Sequence, residues 1–296
     1  MQGTFTLDNL VIGLLRGGLY ALMASGLTLV LGVMNISNFA HGEFYMIGAY
    51  GGYFAYAVFG LNPFLAILIG CAIAAALGLL VERTGFRGLH SVSKDKWLTN
   101  SFLLTVGISM ILQYTAFSIW GPNYMGVPHF WSGMVTISSQ FQLPYDRLLA
   151  FLVSVLGLSA LWLFLTRTIT GKAIRSVAQD ETGAMIVGIN VPKMYTVTFT
   201  MSCALAGLAG ASLLPIMPAS PFVGLTPLFK SYFVVILAGF GSVMGSIIGG
   251  IAIGLLETIT YYNLGAGWQD VASLAVIMLV LLVKPAGLFG KTVTGR

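Results

Sequence analysis

Apolar runs about as long as a lipid bilayer is thick recur from one end of the chain to the other, and this recurrence constrains the fold more than any other feature. One crossing needs about 20 consecutive apolar residues. Such runs lie near residues 9–33, 43–59, 62–81, 98–119, 148–166, 194–214, 229–262 and 269–284. The run from 229 is too long for one crossing. "GFGSVMGS" (Gly239–Ser246) divides it into a short part of about 12 residues and a longer one. Eight or nine spans follow, depending on whether residues 229–240 cross. Only 8% of the 296 residues are charged and 57% are hydrophobic, with a mean hydropathy of +0.91. A water-soluble globule of this size could not cover so much apolar surface. The expected fold class is an all-α, polytopic transmembrane helix bundle with broken helices, forming one domain over residues 1–296.

The basic residues orient it. Arg83, Arg87, Lys94 and Lys96 fall between the third and fourth runs, Arg167, Lys172, Arg175 and Lys193 between the fifth and sixth, and Lys284, Lys291 and Arg296 after the last. These are 11 of the 14 Lys and Arg. Basic loops stay on the cytoplasmic side, which puts the N-terminus outside. An inner C-terminal tail then requires nine crossings, so 229–240 must cross or be shielded by protein. Residues 120–146 carry no Lys or Arg and several aromatics, as an outer segment should. No basic residue precedes Arg16 and no cleavage site follows a short apolar core, so targeting is expected to rest on the first span.

"NISNFAHGEF" (Asn35–Phe44) is too polar to face lipid. It reads as a helix break in which Gly32 ends one helix, Asn35, Ser37 or Asn38 caps the next, and Gly42 loosens it. Non-helical backbone survives at membrane depth only against protein or a water-filled cavity. A second glycine-interrupted segment, with Gly239, Gly241 and Ser242, stands far along the chain, and paired broken helices point to a transport pathway. Asn35, Ser37, Asn38, His41, Glu43, Gly239, Gly241 and Ser242 are therefore the candidate pathway residues. The alternative is that such small and polar residues fasten helices together. Arg16 and Glu257 also lie within spans, either as an interior ion pair or near an interface.

Several chemistries are poorly supported. The three histidines, at 41, 90 and 129, lack the spacing of a zinc site. There is no Gly-x-Ser-x-Gly elbow for a hydrolase and no Gly-x-x-x-x-Gly-Lys-[Ser/Thr] loop for nucleotide. Cys71 and Cys203 both lie in apolar runs and are expected to be neither a disulfide nor a metal pair. The net charge of +5 is explained by topology rather than by nucleic acid.

Residues 167–193 form the longest cytoplasmic loop. Lys172–Gln179 suits one short helix, Asp180 can cap a second, and Asp180 with Glu181 complements that helix's positive end. Ala184 and Gly188, at i and i+4, would give a smooth face flanked by Met185, Ile186 and Val187. Such a helix fits a groove on another protein; lying on the lipid interface is the alternative.

The stretches "GGLYALMASGLTLVLGVMNISNFAHGEFYMIGAY" (17–50), "RSVAQDETGAMIVGIN" (175–190) and "ILAGFGSVMGSIIGGIAIGLLE" (236–257) resemble the permease subunits of bacterial ATP-binding-cassette importers, in particular the LivH-type permeases of branched-chain amino acid importers. The resemblance covers essentially the whole chain. It implies a permease in the bacterial inner membrane that moves branched-chain or related amino acids inward by alternating access. It implies no catalysis and no cofactor on this chain, ATP with magnesium in partner subunits, and four kinds of neighbour: a second homologous permease, two cytoplasmic ATPase subunits, a periplasmic substrate-binding protein and membrane lipid. Family loops dock into the ATPase through a Glu-Ala-Ala-x-x-x-Gly type motif. Here Thr182, Gly183, Ala184 and Gly188 take those places and Glu181 stands one place upstream, so Asp180, Glu181, Ala184 and Gly188 are the candidate coupling residues. Related permeases serve urea and short amides. A secondary transporter with a proton or ion relay through His41, Glu43, Glu257 or Arg16 is the competing class, and an ion channel fits less well.

Overall fold

The structure, a computed structural model, describes residues 7–88, 94–138 and 141–290. His90, Lys291 and Arg296 lie outside them. The described helices are α1 (Leu7–Met34), α2 (His41–Tyr53, continued by a wider turn to Val58), α3 (Pro63–Val81, continued to Phe86), α4 (Lys94–Trp120), α5 (Tyr145–Arg167), α6 (Ile169–Gln179), α7 (Glu181–Ile186), α8 (Val191–Ser212), α9 (Leu225–Ala238), α10 (Val243–Leu264) and α11 (Gln269–Val283). A two-stranded antiparallel hairpin, β1 (Met134–Ser138) and β2 (Phe141–Pro144), interrupts the outer loop.

Local sequence sets the helix starts. Asn62 accepts a hydrogen bond from the Leu65 N–H (2.9 Å), with Pro63 behind it; Asn190 accepts from Lys193 N–H (3.0 Å), with Pro192 in the first turn. Thr168 and Ser242 cap α6 and α10 in the same way. Each cap satisfies one of the amide groups a helix start leaves open, and proline there loses nothing.

Seven described helices are long and apolar enough to cross a membrane. Inter-helix pairings place the shorter α2 and α9 alongside these seven. Antiparallel α1 and α10 meet at Gly17–Gly254 and Thr28–Ser246. α2 runs parallel to α8, with His41 at Ser202 and Gly48 at Gly207, whereas α3 opposes α8, with Glu82 at Thr196 and Gly70 at Ala211. α4 accompanies α2, from Trp97 at the Met34 carbonyl to Trp120 stacked on Tyr50. α5 follows α1, with Phe151 at Gly18. α9 opposes α10, with Lys230 at Glu257, and runs with α11 until Leu288 N–H reaches the Leu237 carbonyl (2.9 Å). Directions therefore alternate through all nine, and the short part at 229–240 becomes α9, which runs from the outer end inward. At the outer end, Met125 and Ala219 exchange backbone hydrogen bonds of 2.8 Å, tying the 120–146 loop to the α8–α9 connection. At the inner end, Arg83, Arg87 and Lys193 line one cavity of about 940 Å³.

α1 is the axis of the bundle: 83% of its most apolar stretch is buried, against 11% for α4 and α11, which present Leu103, Ile111, Met278 and Leu282 outward. Two positions show how closely the helices approach. A Cβ on Gly48 would lie 2.3 Å from the Gly207 carbonyl oxygen, and one on Gly17 would lie 2.6 Å from the Ile251 Cα. Small residues allow this backbone contact, whose close van der Waals packing helps hold helices together in lipid.

Candidate functional site

The break after α1 is deep. Asn35 has φ +52°, Asn38 Oδ1 accepts the Ala40 N–H at 3.1 Å, and α2 opens at His41, whose Nε2 is 3.0 Å from the Met23 carbonyl oxygen. Met23 stands eleven residues before the end of α1, so the chain turns back by about 16 Å at 1.5 Å per residue before α2 begins. Ala40 is the residue preceding α2 and makes no side-chain cap. Gly42 does not loosen α2. Its backbone packs on Gly224, at the start of α9, where a Cβ would meet the carbonyl oxygen at 2.4 Å.

The polar side chains of this stretch bind helices to one another. His41 Nδ1 faces Ser202 Oγ of α8 at 3.3 Å; Glu43 Oε1 accepts from Ser109 Oγ (2.9 Å) and Gln113 Nε2 (2.7 Å) of α4; the Ser37 carbonyl accepts from Thr105 Oγ1 (3.2 Å). Asn38, His41 and Glu43 are fully buried, and Asn35 is exposed at the inner end. The second candidate group is separate from the first. Gly239 (φ +94°) and Gly241 (φ +81°) turn the chain between α9 and α10 at the inner end, Ser242 caps α10, and Gly241 lies against Gly32. Gly241 lines an inner cavity of about 200 Å³ with Thr28, Gly32, Trp162 and Arg175.

Neither group lines the cavity that holds the ionic side chains of α9, α10 and α11. That cavity, about 440 Å³, opens among α1, the α8–α9 connection, α9, α10 and the start of α11, within the size range of small-molecule sites. Leu15, Leu19, Met23, Leu213 and Ile216 give it an apolar wall. Opposite stands an ionic chain. Lys230 Nζ of α9 bridges Glu257 of α10 and Asp270 of α11. Glu257 also accepts from Tyr20 Oη (2.8 Å) and Ser273 Oγ (3.1 Å), while Arg16 donates to Gln269 Oε1 (2.8 Å). Glu257 thus pairs with Lys230 and not with Arg16.

The inner loop folds as two helices, α6 and α7, but the smooth face over Ala184 and Gly188 does not form. α7 ends at Ile186, Gly188 turns the chain at φ +86°, and the Ile189 N–H closes back on the Ala184 carbonyl (3.0 Å). Ala184 is buried in the protein's own core, while Met185, Ile186 and Val187 project outward, the last two 81% and 75% exposed. Asp180 stands at the N-terminal position of α7 without a side-chain cap, its carboxylate over Gly183.

The family model for the branched-chain amino acid transport system permease component matches residues 9–282. The chain belongs to that family. It is 31% identical to the high-affinity branched-chain amino acid transport system permease protein LivH of Escherichia coli K12, over 98% of this chain and 97% of the relative. It is 30% identical to BraD of Pseudomonas aeruginosa, a permease protein of the same description, over 96% of each. LivM of Escherichia coli K12 is 27% identical over 65% of this chain and 49% of its own length. No solved structure matches. The protein is therefore a multi-pass membrane permease and a membrane subunit of a transport system.

What the sequence reading of this permease missed is Lys230. A signal for it existed. Of 14 basic residues, the inner loops account for all but Arg16, Arg147 and Lys230, and the structure brings those three to one place, the 440 Å³ cavity. Cations left over from topology, inside or beside apolar runs, mark function by default.

Proposed function

We infer that the permease carries amino acids with aliphatic side chains across the membrane, and that the outer cavity around Lys230, Glu257 and Asp270 is where the solute first meets it. The observation that carries this reading is the cavity's division into one apolar wall and one wall with both signs of charge. A zwitterion with an aliphatic side chain requires that combination. The names of LivH and BraD agree with it.

Passage then continues inward past Asn35, Ser37, Asn38, His41 and Glu43 to the break at Gly239, Gly241 and Ser242. Asn38 Nδ2 and Glu43 Oε2 support this part of the route, because both are buried with no hydrogen-bond partner among the described residues. Such an atom costs about 1–3 kcal/mol, a cost that is offset if it meets solute or water in another state of the cycle. Replacing Asn38, His41 and Glu43 together by Ala should reduce transport at least tenfold in a folded complex, and unchanged transport would return these residues to packing alone.

Drive is supplied by two cytoplasmic ATPase subunits that engage Asp180, Glu181 and the exposed tip Met185–Val187, with Ala184 and Gly188 shaping that tip from behind. A second, homologous permease completes the membrane part, as the likeness to both LivH and LivM supports, and a periplasmic binding protein delivers solute to the outer end. Copurification tests this. The complex taken from solubilised membranes should carry ATPase activity, and Ile186→Asp with Val187→Asp should remove it. ATPase-free material of intact fold would favour an ion-coupled carrier.

A further inference from the structure

Lys230 stands between two carboxylates that differ in one respect. Glu257 is sealed, 1% exposed, and held by Tyr20 and Ser273 as well as by Lys230. The Asp270 side chain is 67% exposed, and among the described residues its one ion-pair partner is Lys230. One ionic bond of the lysine is fixed in the protein, while the other faces the cavity and can be exchanged. Three cations, Arg16, Arg147 and Lys230, line the cavity against these two carboxylates, so its field favours an arriving anion.

We propose that Asp270 holds the place of a substrate carboxylate. An α-amino acid entering from the outer side puts its own carboxylate on Lys230, and the displaced Asp270 takes the substrate's ammonium. The exchange leaves no charge unpaired: Lys230 keeps two anions, Asp270 trades one cation for another, and Glu257 does not move. A carboxylate without an ammonium strands Asp270, and an amine or a neutral amide leaves Asp270 on Lys230 and its own charge or dipole unmatched. Each is disfavoured because groups in a confined, partly desolvated site cost free energy when unpaired. The site therefore selects zwitterions over urea and amides. The first turn of α9, which contributes Thr226 and Pro227 to the same wall, adds its dipole in favour of the carboxylate.

The proposal rests on the cavity being the solute's entry. The experiment separates the two. In full-length protein with Cys71 and Cys203 replaced by Ala, purified with its bound subunits into lipid nanodiscs, Thr226→Cys provides a thiol on the cavity wall. Its alkylation rate is followed against L-leucine, 4-methylpentanoate and 3-methylbutylamine. Leucine should protect at concentrations about tenfold lower than either analogue, the worth of one charged hydrogen bond. Asp270→Asn should erase the difference between leucine and 4-methylpentanoate. Lys230→Met with Glu257→Gln, which removes the buried pair together and spares the fold, should weaken leucine protection about tenfold or more. Protection by leucine with all ratios unchanged in Asp270→Asn would overturn the exchange while keeping the entry site. No protection by any compound, with the thiol reacting freely, would overturn both.

Discussion

At the scale of single residues, ionic groups at membrane depth are tolerated only in sets. Lys230 is nearly buried and Glu257 wholly so, and breaking such a pair by removing one partner costs about 3–5 kcal/mol, whereas removing both can be nearly neutral. Lys230→Met alone should therefore lower the thermal unfolding midpoint of the full chain clearly, and adding Glu257→Gln should restore most of it. Equal midpoints would show that the pair is not closed in the folded protein. Glycine contacts give a second prediction. Gly48→Val would drive a branched side chain into the Gly207 carbonyl, and overpacking costs about 1–3 kcal/mol or more. Detergent-solubilised Gly48→Val should aggregate or unfold early, while Gly267→Val, with open space around it, should behave as the unaltered protein does. The sequence showed that Gly48 and Gly207 lie in spans, but not that they meet, because two apolar helices can be rotated against each other without changing composition.

At the scale of elements, the breaks were legible, whereas the expected caps and faces were not: Ala40 rather than Asn35, Ser37 or Asn38 precedes α2, and Asp180 makes no side-chain cap on α7. Asn62-Pro63 and Asn190 with Pro192 carry their helix starts in local sequence, a signal the reading by apolar runs passed over. The face of α7 was misjudged because a six-residue helix ends before position i+4 can share a side with Ala184; Ala184 turns inward and Ile186 and Val187 outward. Coupling should follow the exposed residues. Ile186→Asp with Val187→Asp should abolish ATPase association yet leave leucine protection of the outer thiol unchanged, and loss of both would mean a folding defect rather than a broken contact. The 35–43 stretch was legible as a break at membrane depth. Its partners in α1, α4 and α8 are 18 to 161 residues distant in sequence, which no local pattern encodes.

At the scale of the whole molecule, hydropathy placed the seven long apolar helices, and with the positive-inside count it leads to the expectation of nine passes, because both depend only on the order of segments along the chain. The inner faces of α1, α9, α10 and α11 converge from separate parts of the sequence, so of the cavity only Arg16 and Glu257 stood out in the sequence, as charges within spans, and their partners did not. The pass count predicts that a membrane-impermeant maleimide labels Gly267→Cys from outside and Val187→Cys from inside only, and labelling of both from one side would refute it. The small inner cavity joins Arg175 of α6 to Gly241 between α9 and α10. This is where the proposed ATPase contact at the inner loop would meet the α9–α10 turn, next to the helix that carries Lys230. The most direct test of this account is ATP-driven uptake of labelled leucine by the reconstituted complex, comparing unaltered protein with Lys230→Met, Glu257→Gln. The account predicts that uptake falls at least tenfold while the complex and its basal ATPase activity remain; uptake at the unaltered rate would contradict it.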